Sequence, residues 1–348
     1  MPSACHGIAP IYNCNRQAGG FDLRPAPANV APTPAGLLRL HRKLEQGMPV
    51  WIPVTVSAAL FQCWRTAMQQ KLRHLLSVNG AGFVRYLYGA PAAFLLLMGA
   101  LVATGARLPE PNALFMVYCV AGGLAQILAT NLLIMAFGYR NFAVGTAYSK
   151  TETAQSAIVA LIVLNEVLRP LAWVGITVGL TGVMTLSLAG RGMRPGELAR
   201  ATVQPAALSG LSAGFMFAIT TVLIKLANRA LTGPSLFVRA IFVLVVTNSL
   251  QTLMQGAYLA WREPRELRKA FITWRSSAWV GTLSAAGSAC WFTAFALTDV
   301  ALVRSVGQVE IVFTLLFSRF YLKETLRSGD VAGLLLVVTG VLIIVIGN

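Results

Sequence analysis

The sequence predicts an all-α integral membrane protein with ten transmembrane helices, arranged as two inverted five-helix repeats around a central cavity. Three observations support this fold class: long apolar segments, an internal repeat, and one glutamate at the same position of each copy. Of the 348 residues, 56% are hydrophobic and only 11% are charged, whereas a soluble globular domain carries about 25% charged residues. The composition therefore favours a membrane protein.

Ten apolar segments are long enough to be membrane spans, because a helix needs roughly 20 apolar residues to cross the hydrocarbon core. They cover residues 49–70, 82–104, 113–136, 142–163, 171–189, 206–226, 235–260, 276–297, 300–322 and 330–347. The connections between these segments are short, so little of the chain is left for a soluble domain.

The second half of the chain repeats the first. Residues 123–183 and 281–341 correspond without a gap at a shift of 158 positions, and the front of each half corresponds at a shift of 154, which pairs Arg85 with Arg239. Because five spans per copy is an odd number, the second copy has to enter the membrane from the opposite face. The two halves are therefore expected to be inverted relative to each other.

The repeat divides the chain into four parts. Residues 1–47 contain six prolines and no 3.6-residue apolar period, which predicts a disordered N-terminal tail. The first five-helix repeat covers 48–189, a glycine-rich charged linker covers 190–205, and the second five-helix repeat covers 206–348.

Charge and motif content exclude several classes of protein. The formal net charge is +16, but the basic residues lie in short loops and at helix ends, where they meet lipid headgroups, so no nucleic-acid partner is expected. The five cysteines lack metal-ligand spacing, and the three histidines lie outside the spans. Neither an HExxH, a GxSxG, a P-loop nor a GxGxxG motif occurs, so we expect no enzyme activity, no cofactor and no metal.

One glutamate lies about ten residues into an apolar span in each copy, Glu152 in the first and Glu310 in the second. A carboxylate near the membrane midplane costs roughly 2.5–3.5 kcal/mol on insertion scales. Each glutamate could be a buried partner that fixes helix packing, or it could line a cavity as a substrate or proton site. The matching positions favour the second interpretation, because transporter sites lie at repeat interfaces.

Lys150 is the next candidate, two positions before Glu152 and therefore about 200° away around a helix. It is not expected to pair with Glu152, but it could reach Glu310 across the symmetry axis or face the substrate. The second copy has Gln308 at the equivalent position, so the two halves are not chemically identical.

Other polar side chains could contribute to the same cavity. Tyr148 and Gln155 share the face of Glu152 on a continuous helix. The basic candidates are Arg65, Arg85, Arg239 and Arg304. Each arginine lies nearer to a helix end, where it could extend to the membrane interface, but Arg85 and Arg239 are favoured because the repeat pairs them. A cavity with Lys150 and two arginines would suit a carboxylate-bearing or zwitterionic solute.

Each copy ends in a short polar turn with a glutamate, Asn165–Leu168 and Lys323–Leu326, before a glycine-rich helix that contains Thr-Gly-Val. On these motifs, and over about residues 48–348, the chain resembles the EamA-type branch of the drug/metabolite transporter superfamily. The resemblance implies an inverted-repeat bundle, a central cavity, alternating access, and most often export of small metabolites or toxic compounds. Where that family has Gly-Glu, this chain has Asn165-Glu166 and Lys323-Glu324.

The sequence therefore predicts a secondary-active transporter that exports a small polar metabolite, amino-acid-like or otherwise zwitterionic or anionic, with the proton as candidate coupling ion. The alternatives are a drug efflux pump, a proton-independent facilitator or flippase, and a non-transporting scaffold or sensor. The expected partners are a small-molecule substrate and membrane lipids, with the chain as a monomer or homodimer. The location is the inner or plasma membrane, where loop charges favour both termini outside, whereas the resemblance implies cytoplasmic termini.

Overall fold

The computed structural model describes residues 49–72, 74–138, 148–188, 204–233, 235–321 and 328–347. The predicted tail (1–47), the linker from 190 to 203 and the turn 322–327 lie outside the described residues. The described residues form helices, and Glu110 and Thr232 form an isolated antiparallel bridge. The helices are α1 Trp51–Leu72, α2 Val78–Leu87, α3 Gly89–Thr104, α4 Ala113–Gly138, α5 Glu152–Leu164, α6 Pro170–Leu188, α7 Pro205–Ala230, α8 Leu236–Arg262, α9 Pro264–Ile272, α10 Trp274–Leu297, α11 Val300–Gly307, α12 Glu310–Tyr321 and α13 Ser328–Gly347.

Long apolar helices dominate the architecture. Within the described ranges, segments that are long and apolar enough to cross a membrane are Val78–Thr104, Ala113–Ala136, Pro205–Ala230, Leu236–Arg262 and Trp274–Leu297. Shorter apolar helices cover Glu152–Leu164, Pro170–Thr185 and Val331–Gly347. Large apolar side chains such as Leu95, Val102, Ile162 and Leu253 are 69–86% exposed. Such surfaces are suited to lipid and confirm that the chain is a multi-pass membrane protein.

The packing of the helices follows the sequence repeat. Helix α4 packs along α7, and their counterparts in the other copy, α10 and α1, also pack together. Helix α5 packs on α7, as α12 packs on α1. The last helices of the two copies, α6 and α13, pack against each other. The main contacts of each half are thus made with the other half.

Two spans that we predicted as continuous helices, 142–163 and 300–322, are interrupted, and the prediction was wrong in this respect. Helix α5 begins at Glu152 after a turn at Lys150 and Thr151, and the second span is divided between α11 and α12. In the first copy the Thr151 hydroxyl donates to the Tyr148 carbonyl at 2.6 Å, which offers the backbone an alternative to a helical hydrogen bond.

Both interruptions have the same backbone geometry. At each one, hydrogen bonds between residues i and i−3 replace the helical pattern. The matched pairs, related by the shift of 158, are Thr151 N to Tyr148 O (3.2 Å) with Val309 N to Val306 O (3.1 Å), and Thr153 N to Lys150 O (3.5 Å) with Ile311 N to Gln308 O (3.0 Å). The sequence repeat is therefore also a repeat of local structure, and each glutamate is the first residue of a new helix.

The turn after α5 explains how asparagine replaces the family's glycine. Asn165 has φ 54° and ψ 34°, in the left-handed region, and its backbone N–H donates to the Ala160 carbonyl. Asparagine adopts this conformation more readily than other residues with a Cβ, so it ends the helix as glycine would. The equivalent Lys323 lies outside the described residues.

Glycines allow α6 and α13 to approach at backbone distance. A Cβ on Gly340 would lie 2.6 Å from the Gly179 nitrogen and 2.7 Å from the Gly175 oxygen, and a Cβ on Gly182 would lie 2.6 Å from the Val337 nitrogen. In lipid, where burial of apolar surface drives little association, such close packing holds helices together.

Replacing Gly340 by alanine is expected to destabilise the protein by about 1–3 kcal/mol, because the new methyl group would meet backbone atoms that cannot move aside. Thermal unfolding of the purified protein in detergent measures the change. Gly99→Ala is the matched control, since a Cβ there meets nothing within 4 Å. Equal melting temperatures for the two variants would contradict this packing.

Candidate functional site

Glu310 lies at the start of α12 and connects this helix to α1 and to the turn before α5. Its Oε2 atom accepts a hydrogen bond from Lys150 Nζ at 3.0 Å and another from Gln62 Nε2 at 2.7 Å. Gln62, on α1, in turn accepts a hydrogen bond at Oε1 from Trp291 Nε1 at 3.1 Å. Of the two alternatives for Lys150, the contact with Glu310 is therefore the one present in the structure.

Glu152 lies at the start of α5 and pairs with Arg304 of α11. The Arg304 Nη1 atom is 2.6 Å from Glu152 Oε1. The same guanidinium donates from Nη2 and Nε to Thr221 Oγ1, at 2.5 and 3.2 Å, and it lies over the Trp291 ring at 5.0 Å from its centroid. Arg304 is thus held by a carboxylate, a hydroxyl and an aromatic face.

The two ion pairs are crossed between the copies. Glu152 of the first copy pairs with Arg304 of the second, and Glu310 of the second copy pairs with Lys150 of the first. Each carboxylate lies in the first turn of its helix, where the helix dipole favours negative charge. We call these four residues the central charge cluster.

The central charge cluster is partly open to solvent. The side chains of Glu310 and Arg304 are each 13% exposed, that of Glu152 is 18% exposed, and that of Lys150 is 26% exposed. Charges with this exposure can exchange partners at a lower cost than fully buried ones, because water compensates part of each broken contact.

Arg65 and Arg85 lie close to this cluster and are buried, with exposed fractions of 9% and 6%. Arg65 is within electrostatic range of Arg85 and of Glu310, and Arg85 is within electrostatic range of Arg304. The interpretation that Arg65, Arg85 and Arg304 extend to the membrane interface was therefore wrong. Arg85 and Arg304 are held inside the bundle by hydroxyl groups of neighbouring helices, and Arg65 is buried.

The repeat-matched Arg239 has a different environment from Arg85. Its Nη1 atom donates to the Leu231 carbonyl at 3.0 Å, in the connection that precedes its own helix. It is not brought together with the central charge cluster, because it lies in the first turn of α8.

The remaining predicted residues surround the interruptions. Gln155 donates from Nε2 to Thr151 Oγ1 at 2.9 Å and to the Leu211 carbonyl of α7 at 3.4 Å. Gln308 is buried against α6, since a Cβ on Gly179 would lie 2.6 Å from its Oε1 atom. Tyr148 is buried at the turn before α5. Gln155 thus contacts the turn before α5. Because the helix is interrupted at this turn, Tyr148 does not share one continuous helical face with Glu152 and Gln155, and our prediction was wrong in this respect.

Sequence reasoning missed two members of the site, Gln62 and Thr221. Each is a polar residue within an apolar helix, a weak signal that many packing residues share. The indole of Trp291, on α10, links Gln62 to the guanidinium of Arg304.

A second ion cluster connects the turn after α5 to α7 and α11. Lys225 Nζ is 2.5 Å from Glu166 Oε1, and the two side chains are only 6% and 5% exposed. Glu166 Oε2 also accepts a hydrogen bond from the Val300 amide, the first of α11, at 2.9 Å. Lys225 donates to the Thr298 carbonyl at 2.7 Å. Glu166 therefore caps the helix that carries Arg304.

Carboxylates of the connection between α8 and α10 hold the start of α2. The Ser77 amide donates to Glu266 Oε2 at 2.6 Å, and Glu263 accepts hydrogen bonds from the Ser77 hydroxyl at 2.9 Å and from Asn79 Nδ2 at 2.5 Å. Burial would raise the pKa of Glu266, but hydrogen bonds from Lys269 and Ser77 together hold this pKa below its ordinary value. The start of α2 is thus fixed by two carboxylates.

The fold and these buried charges define a multi-pass membrane protein with a polar centre, and comparison with known proteins shows which family it is similar to. Residues 204–346 match the EamA-like transporter family. This match supports the predicted resemblance to the EamA-type branch of the drug/metabolite transporter superfamily. Members of this family are membrane transporters and not enzymes.

A solved structure described only as "Crystal structure of protein" has the same fold. It matches with a TM-score of 0.61 and 16% sequence identity, over 84% of this chain and 94% of that chain. At this identity the similarity concerns the fold alone. No curated protein has a sequence that matches this chain.

Proposed function

We propose that this protein is a secondary-active transporter that moves a small polar metabolite across the membrane by alternating access, with protons as the coupling ion. The architecture we propose for it is ten spans in two inverted five-helix repeats, residues 48–189 and 206–348, which are joined by the linker 190–205 and enclose a central cavity. The exchange of packing partners between the halves and the matched helix interruptions support this arrangement.

The crossed ion pairs at matched helix interruptions carry the proposal. Transporters commonly bind substrate and coupling ions where discontinuous helices meet at a repeat interface near the midplane. Here each interruption places a carboxylate opposite a cation of the other half. Breaking and remaking these contacts would let the halves move relative to each other at a limited energetic cost.

Glu310 is the proposed proton site. In its ionised form it holds both Lys150 and Gln62 through one oxygen atom. A proton that binds to this carboxylate neutralises it and removes its electrostatic attraction for Lys150. The contact between the two halves then weakens, and Lys150 becomes available to another anion. Protonation of Glu152 would weaken its contact with Arg304 in the same way.

Flux measurements separate this mechanism from its alternatives. A thermal-shift screen against a metabolite panel first identifies a stabilising solute, because ligand binding raises the stability of the folded state. We expect that solute to accumulate in proteoliposomes when a pH gradient is imposed. Equal flux with and without the gradient would instead indicate a facilitator or flippase, and no flux of any stabilising solute would indicate a scaffold or sensor.

Orientation is a separate prediction. The loops that hold Arg262, Arg265, Arg268, Lys269 and Arg275 are more basic than the opposite loops, where Lys225 and Arg229 interact with Glu166. The positive-inside rule therefore places both termini outside. A reporter fused after Asn348 should be active on the outer side of the inner or plasma membrane. Reporter activity in the cytoplasm would reverse this assignment.

A further inference from the structure

Arg65 and Arg85 are two buried cations that the proton mechanism does not use. Arg85 donates from Nε to Ser284 Oγ at 2.7 Å and from Nη1 to Thr130 Oγ1 at 3.2 Å. Arg65 donates from Nη2 to Thr66 Oγ1 at 3.4 Å, and its buried Nε atom has no hydrogen-bond partner. Hydroxyl groups orient both side chains, but among the described residues neither forms an ion pair with a carboxylate.

Within the described part of the chain, the charge around the two arginines is not balanced. Arg65, Arg85, Lys150 and Arg304 supply four positive charges, whereas Glu152 and Glu310 supply two negative charges, and both glutamates are already paired. A buried guanidinium without a counter-ion is unfavourable, because its desolvation is not repaid by an attractive partner. Two such groups within electrostatic range of each other add repulsion.

We propose that Arg65 and Arg85 form the binding site for an anionic group of the substrate, so that the transported solute is a small carboxylate. This inference rests on the proposed transport function and names its substrate class. Guanidinium groups bind carboxylates through parallel N–H donors, and the Nε donor of Arg65 has no partner among the described residues. The carboxylate would lie between α1 and α2, beside the central charge cluster.

The site is close enough to Glu310 for the two functions to communicate. Glu310 is the only carboxylate among the electrostatic neighbours described for Arg65. A substrate carboxylate near Arg65 would repel ionised Glu310 and favour its protonated form. Substrate binding and proton binding would therefore support each other.

Binding of solutes that differ only in charge tests the proposal. Succinate, succinamide and putrescine have the same four-carbon length and are respectively anionic, neutral and cationic. We expect succinate alone to raise the melting temperature of the purified protein at matched ionic strength, and inorganic phosphate to raise it less. Equal increases in melting temperature with the three organic solutes, or no increase with succinate, would overturn the carboxylate assignment. A larger increase with phosphate than with succinate would indicate a phosphate site instead.

Substitutions then locate the site. Arg65→Gln should weaken succinate binding at least tenfold, yet the ligand-free protein should be as stable as the wild type or more so, because an uncompensated charge has been removed. A merely structural arginine would give the opposite result, with lower stability and unchanged binding. Arg85→Lys keeps the charge and should retain part of the affinity, whereas Arg239→Gln, at the repeat-matched position, should retain all of it.

The same variants separate the two proposals. If succinate binds through Arg65 but is not transported by proteoliposomes, the transport function fails and the binding site stands. If a neutral or cationic solute is transported and Arg65→Gln has no effect, the carboxylate site fails and the transport function stands.

Discussion

Replacing Glu310 by glutamine is expected to abolish solute transport while the protein still folds and inserts. The amide has nearly the shape of the carboxylate and can still accept hydrogen bonds from Lys150 and Gln62. It has neither the charge that holds Lys150 nor an oxygen that a proton can neutralise at physiological pH. Solute flux into proteoliposomes should fall to that of empty liposomes.

Two controls make this result interpretable. Glu110→Gln removes an exposed carboxylate in the connection between α3 and α4, far from the interruptions in sequence, and should transport normally. The melting temperature of Glu310→Gln should stay near that of the wild type. Glu152→Gln is expected to share the loss of transport, and full activity in both single variants would defeat the mechanism.

The second large effect is expected on stability, at the buried pair of Glu166 and Lys225. Glu166→Gln would leave the Lys225 ammonium with the Thr298 carbonyl at 2.7 Å and the Asp299 carboxylate at 4.0 Å. Removing one partner of a buried pair typically costs 3–5 kcal/mol. For a chain of this size, the melting temperature should fall by about 5–10 °C.

A double variant shows whether the cost comes from the unpaired charge. Glu166→Gln combined with Lys225→Gln leaves no buried ion, so it should recover much of the stability that Glu166→Gln loses. A double variant that is destabilised by the sum of the two single effects would indicate that the residues do not interact.

Depth in the membrane made the two glutamates predictable from sequence. A carboxylate ten residues inside an apolar span is costly, and the repeat excluded coincidence by placing one in each copy. The angular step between Lys150 and Glu152 argued against a pair between these two neighbours, and the contact of Lys150 with Glu310 was one of the two alternatives that it left open. These inferences depended only on helix geometry and on the number of charges in apolar surroundings.

The helix interruptions could not be predicted in the same way. The residues next to Gln308 are apolar, and neither helix break contains a proline. Because a continuous helix was assumed, Arg304 was placed near a helix end at the interface. In the structure α11 ends at Gly307, three residues after Arg304, and the Arg304 guanidinium contacts Glu152.

The polar contacts that orient the arginines were also beyond sequence reasoning. Arg85 and Arg239 occupy equivalent positions, yet one contacts α4 and α10 while the other contacts its own connection. The difference arises from the residues opposite each arginine, Thr130 and Ser284 for Arg85, which come from distant parts of the chain. Such tertiary partners are not encoded in local periodicity.

Proton exchange on solute binding tests the role of Glu310 most directly. A pH-sensitive dye in weakly buffered detergent solution would report proton uptake when a stabilising solute is added to the purified protein. The wild type should take up protons in proportion to the bound solute, and Glu310→Gln should bind the solute without taking up protons through this site. Identical proton uptake by the two proteins would contradict the assignment of Glu310 as the site that couples protons to transport.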